Sequence, residues 1–301
     1  MEVIPKDPYF TFRPNTLEDV RREFNLDKPG EMEEVIKNFE EWIQKQAHFT
    51  KKEFTKHFLE VSIILSKGSL EKAKKSLDKL CTMRTLIPKF FSKYNVRKEM
   101  FDFILMPKLT EDHYRIFLLN FISTDTLTWY DFYRYIMLMC EYMKAHDYTQ
   151  GMCSVIDFRN VNVMSLKNET RLTFSFIFQE GYGMRIKAIH YISESKAIDA
   201  MVSVMKQILS EKISGRVHVH KTLESVYNHV DRDLLPVDYG GKEKPYMQLH
   251  YDYLDVLSRE ENAEYFKDIC ASGTNEMYRQ TATYNNDILG MPGSFRSLTV
   301  D

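Results

Sequence analysis

The residues whose spacing suggests chemistry are cations and imidazoles. Arg185 and Lys187 stand two apart in an otherwise apolar run, and Lys212 and Arg216 stand four apart. Side chains repeat every two residues on a strand, and residues four apart share a face of a helical turn. Each pair therefore presents two cations together, and the two pairs flank the apolar segment Lys196–Leu209. Point and forked donors side by side match a phosphorylated headgroup, whereas an isolated basic pair is usually solvated surface. His218 and His220 alternate, which puts two imidazoles on one face of a strand, but no third metal ligand is near them in sequence. His190, inside an apolar run, is expected to be a hydrogen-bonded core residue, and Asp157, closing another, a turn or cap partner. The patterns GxxxxGK[ST], GxSxG and HExxH do not occur, and Gly181-Tyr182-Gly183 precedes a strand instead of following one, so its phosphate-binding logic fails. With no nucleophile beside a recognisable base, the expectation is a protein that is not an enzyme, with no metal and no cofactor.

Several elements must position these groups. Glu31–Gln46 places Val35, Ile36, Phe39, Trp42 and Ile43 at helical spacing, and Thr50–Ser66 repeats the pattern with Phe54, Phe58, Val61 and Leu65. Ser69 is positioned as the N-cap of a further helix running to about Phe91. The period then changes. Tyr114–Phe121, Gly151–Phe158, Met184–Ile192 and Arg216–His220 read as strands, Leu127–His146 and Lys196–Leu209 as helices, and Leu172–Glu180 as either a strand or a buried helix. Strands alternating with helices predict an α/β sheet with crossover connections. In Lys196–Leu209, Ile198, Met201, Val202, Met205, Ile208 and Leu209 share one broad face, with Ala197, Ala200 and Val204 extending it. Such a helix is either a core element or a lid touching a hydrophobic ligand. The expected organisation is a helical unit over residues 1–100, an α/β unit over 101–262 and a tail over 263–301, poorly tied down from Gly273 onward.

Bulk composition bounds the partners. Among 301 residues the formal charge is −2 with 28% charged, which argues against a nucleic-acid binder by bulk field. Sixteen Met and 13% aromatic residues suit either a soft core or an adaptable apolar pocket. Cys81, Cys140, Cys153 and Cys270 show no CxxC spacing and lie in or beside apolar runs, as buried thiols of a cytoplasmic protein would. The start MEVIPKDPYF lacks the pattern of a signal peptide, and the central apolar runs are too short to cross a bilayer.

Four motifs in order resemble the CRAL-TRIO (Sec14-like) lipid-binding family: Gly151-x-x-x-Val155-Ile156-Asp157-Phe158, Arg185-Ile186-Lys187-Ala188-Ile189-His190-Tyr191-Ile192, Lys212-x-x-x-Arg216-Val217-x-Val219-His220, and Leu235-Pro236-x-x-Tyr239-Gly240-Gly241. The pattern looks closest to the branch of the α-tocopherol transfer protein and the cellular retinaldehyde-binding protein with their insect-type relatives. The resemblance spans about Leu65 to Lys242 and implies a helical N-terminal bundle followed by an α/β lipid-binding domain with a mobile gate helix. It implies a cavity lined by Ile136, Cys140, Ile156, Val161, Phe174, Ile177, Phe178, Met184, Ile186, Ile189, Met201, Val204 and Met205. It further implies a phosphoinositide contact at Arg185, Lys187, Lys212 and Arg216, and a gate carried by Ile198, Met201, Val202, Met205, Ile208 and Leu209. The function so implied is a cytoplasmic, monomeric carrier of one hydrophobic small molecule (tocopherol-, retinoid- or other isoprenoid-like), making peripheral contact with phosphoinositide membranes. Tyr133, Tyr142 or Ser154 would orient the cargo. The alternatives are a phospholipid exchanger and a non-catalytic protein-interaction module. Three departures stand out: Lys206-Gln207-Ile208-Leu209 replaces the family's Lys-Pro-Phe-Leu, which predicts an unbroken gate helix; Ile63-Ile64-Leu65-Ser66-Lys67 retains one cation of an Arg-rich stretch; and Ser193 and Ser195 stand where Asn and Pro are usual.

Overall fold

The computed structural model describes residues 3–91, 103–120, 129–159, 182–209 and 211–279. Four helices come first: α1 (Thr16–Arg22), α2 (Glu31–Lys45), α3 (Lys56–Leu65) and α4 (Leu70–Leu86). The Thr55 hydroxyl accepts from the Phe58 amide at 3.1 Å to start α3, and the Ser69 hydroxyl accepts from the Lys72 amide at 3.4 Å to start α4. The latter helix stops at Leu86, short of Phe91, because Pro88 lies two residues on; a single 3₁₀ turn (Pro88–Phe90) follows.

The α/β unit is built on strands β1 (Phe103–Leu109), β2 (Tyr114–Asn120), β3 (Gly151–Asp157), β4 (Ile186–Ile192) and β5 (Val217–His220), which form one sheet in that order. β1 runs antiparallel to β2, and the other pairs are parallel. Helix α5 (Trp129–His146) links β2 to β3, and α6 (Lys196–Ile208) and the short α7 (Glu211–Ser214) link β4 to β5. Two helices close the described chain, α8 (Tyr246–Leu257) and α9 (Glu260–Cys270). The latter runs unbroken through residue 263, and the segment beyond it is docked as far as Arg279; residues 280–301, most of the expected loose tail, lie outside the described residues. The Thr50 and Gly273 backbones are tied by a 3.0 Å hydrogen bond, and Arg279 Nη1 reaches both carboxylate oxygens of Asp78 at 2.9 and 2.8 Å.

Register sorts the sheet into two faces. Leu105, Phe117, Ser154, Ile189 and Val217 form one cross-strand row, and Phe103, Leu119, Ile156, Tyr191 and Val219 the next. This face packs into the core shared with α5 and the N-terminal helices. The opposite face carries Ile104, Ile116, Leu118, Cys153, Val155 and Ile192, covered by α8 and the segment around Val226 to Tyr239.

Buried charged pairs tie α4 to α5 and β2 to the turn after α5. Arg84 and Glu141, both fully buried, lie 2.5 Å apart, and Tyr182 donates to the same carboxylate at 2.7 Å. Arg115, also fully buried, grips Asp147 through two hydrogen bonds and lies 4.1 Å above the Phe10 ring. Such pairs fix geometry more than they add stability, because both charges lose their water.

Candidate functional site

The parallel strands converge on α6. Ile198 and Val202 of this helix are buried and Met201 is half-buried, so its inner stripe packs on the sheet face described above. At the β3–β5 side of that face, Ile156, Ile189 and Val219 are only half-buried although they lie inside the sheet. Met184 and Ile186 lie at the entry of β4 and are buried; Ile136 and Cys140 are enclosed on α5. Ser154 brings one hydroxyl into the apolar row, with 8% of its surface exposed.

Two expectations fail here. Val204 is 56% exposed, because Ala197, Ala200 and Val204 form a separate stripe turned outward from the Ile198–Val202 stripe. Tyr142 is engaged elsewhere: its hydroxyl donates to Asp7 Oδ2 at 2.7 Å and its ring stacks on His146. Val161, Phe174, Ile177, Phe178 and the segment Leu172–Glu180 lie outside the described residues, as do the side chains of Tyr133, Met205 and Ile208.

The helix starts at Ser193-Glu194-Ser195, where the Ser195 hydroxyl accepts from the Ala197 amide at 3.2 Å. Serine thus supplies the start that Asn and Pro give elsewhere. α6 continues unbroken from Lys196 to Ile208, as the loss of Pro at Gln207 predicts.

The four cations divide into two groups. Lys187 pairs with Asp112 and lies 5.1 Å from the Tyr114 ring; Arg216 donates to the Ile186 carbonyl and braces β4. Arg185 lies 5.2 Å from the Phe24 ring, and its buried Nη1 has no hydrogen-bond partner. Arg185 and Lys212 both bear on Lys67. The Lys212 ammonium beside it, followed by Arg185 and Lys72, holds the Lys67 pKa below the usual lysine value. A cavity of about 250 Å³ opens there, lined by Leu65, Ser66, Lys67, Lys72, Lys75, Ser76, Lys79 and Gly183. Lys72, Lys75 and Lys79 are spaced three and four apart, so α4 turns one face toward Lys67. α4 thus sets further lysines beside Lys67, the one cation that the Ile63–Lys67 stretch retains. Like charges gathered in one concavity favour an anion that neutralises them.

Gly151 makes this junction possible. Its φ is +150°, and a Cβ there would fall on the Arg185 carbonyl, which accepts from the Met152 amide at 2.7 Å. At the far end of β3, Asp157 accepts from Arg159 Nη2 at 2.7 Å and from the Tyr239 hydroxyl at 2.8 Å, so it is a structural partner as expected. Tyr239 is presented by Leu235–Gly241, where a Cβ on Gly241 would collide with the Leu235 carbonyl.

The imidazoles of β4 and β5 gather on the opposite face. His190 is buried as expected, and its Nδ1 lies 2.9 Å from His220 Nε2, whose Nδ1 is 3.0 Å from Ser225 Oγ. His218 and His229 complete a quartet. Among the described residues no group of His, Cys, Asp or Glu is arranged to hold a metal ion, and no helix is long and apolar enough to cross a membrane.

Comparison with known proteins agrees with these motifs. Residues 100–241 match the family model described as CRAL/TRIO domain, and residues 28–101 match one described as Pinta-like, UBA domain. The chain is 36% identical over 66 residues to the mouse protein named alpha-tocopherol transfer protein-like, covering 22% of this chain and 19% of that one. It is 28% identical over 148 residues to Xenopus laevis Clavesin-1 and to human Clavesin-2, covering 45% of this chain and 44% of each. The matches thus span less than half the length of these relatives. The solved structure of Sfh5 superposes with a TM-score of 0.47 at 12% identity, covering 67% of this chain and 84% of that one. The sheet order, the α6 crossover and the Tyr239-Gly240-Gly241 closure coincide with the span, residues 100–241, that matches the CRAL/TRIO domain.

Proposed function

We propose that this protein carries one hydrophobic small molecule between the β3–β5 side of its sheet and the inner face of α6. It would exchange that cargo at membranes presenting phosphorylated headgroups. The observation that carries the reading is the half-buried cluster Ile156, Ile189 and Val219, from two adjacent cross-strand rows of a sheet whose other face is packed. Each aliphatic side chain fully withdrawn from water contributes about 1.5–3 kcal/mol, so a cargo covering this cluster together with Met201 gains its affinity from apolar contact. Ser154 supplies one polar contact for orientation. The name of the mouse relative, which refers to tocopherol transfer, supports an isoprenoid-like cargo. Exposed Val204 on the outer face of α6 suits a helix that enters a bilayer interface when the gate opens. The lysine cavity, with Arg185 and Lys212, suits the phosphates of a phosphoinositide.

Organic extraction of the purified protein, followed by mass spectrometry, tests the reading. One stoichiometric hydrophobic molecule is expected, and it should be missing from a correctly folded Met201→Glu variant. An empty extract after incubation with a mixed lipid pool would refute the carrier.

A further inference from the structure

Four imidazoles gather on one face, and among the described residues the charges acting on His190, His218 and His220 are all cationic. His190 and His220 are 1% and 5% exposed, His218 is half-buried, and His229 closes the group from outside. Ring centroids are 5.1 Å apart for His190–His218 and His190–His220, 5.2 Å for His190–His229 and 5.0 Å for His218–His229. They come from three elements: His190 from β4, His218 and His220 from the edge strand β5, and His229 from the turn after Leu223. The Ser225 hydroxyl donates to the Thr222 carbonyl at 2.8 Å, so His220 donates from Nδ1 to Ser225 and accepts on Nε2 from His190, which a doubly protonated His220 cannot do.

We infer that this quartet is an acid-sensitive latch: it holds β5 against β4 while the rings are neutral, and lets β5 and the attached gate helix α6 move when they gain protons. The consequence for cargo rests on the carrier reading above; the latch does not. β5 has four residues and, among the described residues, pairs with β4 alone. It lies directly beyond α6 and α7, and just past it Lys221 Nζ meets Asp199 of α6 at 2.6 Å. β5 also carries Val217 and Val219 on the apolar face, so its displacement would open that face.

The charges facing the rings all act in one direction. Burial first, then His220, His218, His229 and Lys187, push the His190 pKa down to about 3. Burial with His229 and Lys206 lowers His218, and burial with His229 and His218 lowers His220, against the hydrogen bond at Ser225. A ring whose pKa is depressed in the latched state stays neutral there and takes up a proton on release, where it titrates near 6.5. Opening is therefore unassisted at pH 7.4 and is favoured increasingly below about pH 6.5. At pH 5.5 each ring that protonates only on release shifts the opening equilibrium about tenfold.

Hydrogen–deuterium exchange of the whole chain, corrected for intrinsic rates, reads this without any cargo. Between pH 7.4 and 5.5, peptides spanning Lys196–Ile208 and Val217–Val230 should lose at least about tenfold in protection, while those of β2 and α5 hold theirs. The variant His218→Gln/His229→Gln, changed only at accessible rings, should lose part of that response, because His190 and His220 remain. Unchanged protection in wild type, an equal response in the variant, or a loss spread over the whole fold would overturn the latch. A second arm loads a nitrobenzoxadiazole-labelled fatty acid at pH 7.4 and shifts to pH 5.5. Release is expected from wild type and slower release from the variant, and retention by wild type would overturn the link to the gate. A probe that never loads at pH 7.4 counts against the carrier alone, since exchange still reports the latch.

Discussion

Lys144 offers a test with a calculable sign. Its side chain is fully buried on α5, where Nζ donates to Ser62 Oγ at 2.8 Å and lies 4.8 Å from the Phe58 ring. Burial pushes its pKa down to about 8, opposed by Glu141 and reinforced by Arg84. A fall of that size from 10.5 corresponds to about 3 kcal/mol of lost stability wherever the side chain is charged in both states, which holds at pH 7. The folded state binds fewer protons than the unfolded one between pH 8 and 10.5. The burden is therefore complete below pH 8 and fades as pH rises through that window, to about 1 kcal/mol at pH 9.5. Lys144→Met keeps the unbranched stem and removes the charge. It forfeits the bond to Ser62 and the contact with Phe58, each about 1 kcal/mol, while Ser62 still donates to the Phe58 carbonyl at 2.7 Å. The variant should be about 1–2 kcal/mol more stable than wild type at pH 7, and that advantage should shrink by about 2 kcal/mol by pH 9.5. Urea unfolding at pH 7, 8.5 and 9.5 measures both. The buried thiols of Cys81 and Cys153, pushed up to about 11, titrate alike in both proteins and cancel in the difference. A stability difference that stays flat with pH, or grows, would refute the assignment of a strained charge to Lys144.

Two further outcomes follow from the anion cavity and its supports. Replacing Lys72, Lys75 and Lys212 together by Ala should weaken binding to phosphoinositide vesicles by about 100-fold, from about 1 kcal/mol per cation near an anionic surface, with unfolding unchanged; vesicle flotation reads it. Gly151→Ala has no space beside the Arg185 carbonyl and should lower stability by about 1–3 kcal/mol in urea, with vesicle affinity falling in parallel as Arg185 is displaced.

Strands β2, β3 and β4 and helices α2 and α6 were legible in the sequence because their apolar periods are unbroken. β1 was not: Pro107 interrupts Phe103–Leu109, and Pro suits only an edge strand, which is where it lies. The buried charges escaped for a different reason. Arg84 finds Glu141 57 positions away and Arg115 finds Asp147 32 away, and no local pattern encodes such a pairing. The lysines of α4 did carry a signal in their spacing of three and four, but the same spacing describes any solvated helix face. Only the approach of Gly183, Arg185 and Lys212 makes it a concavity. His190, His218 and His220 could be aligned from strand alternation, whereas His229 joins them only through the turn after Leu223.

The order of these features along the chain bears on mechanism. Gly183 lines the lysine cavity and Arg185 acts on Lys67 beside it, Ile186 and Ile189 follow on β4, then come α6, Lys212, β5 and the last imidazole at His229. Headgroup, cargo and latch would therefore act on one strand pair, β4–β5, braced by the bond from Arg216 to the Ile186 carbonyl. A headgroup can favour the open gate only by binding that state more tightly, and an open gate must then bind the headgroup more tightly in return. Displacing β5 would carry Lys212 with it, through α7 and Arg216, and would change the repulsion between Lys212 and Lys67. An anion that screens Lys67 from Lys212 relieves a cost that depends on where β5 lies. Acid and anionic headgroup would then draw on the same two-state element from opposite faces of the sheet. Their effects on release should exceed the product of each alone only if β5 moves as a unit with α6.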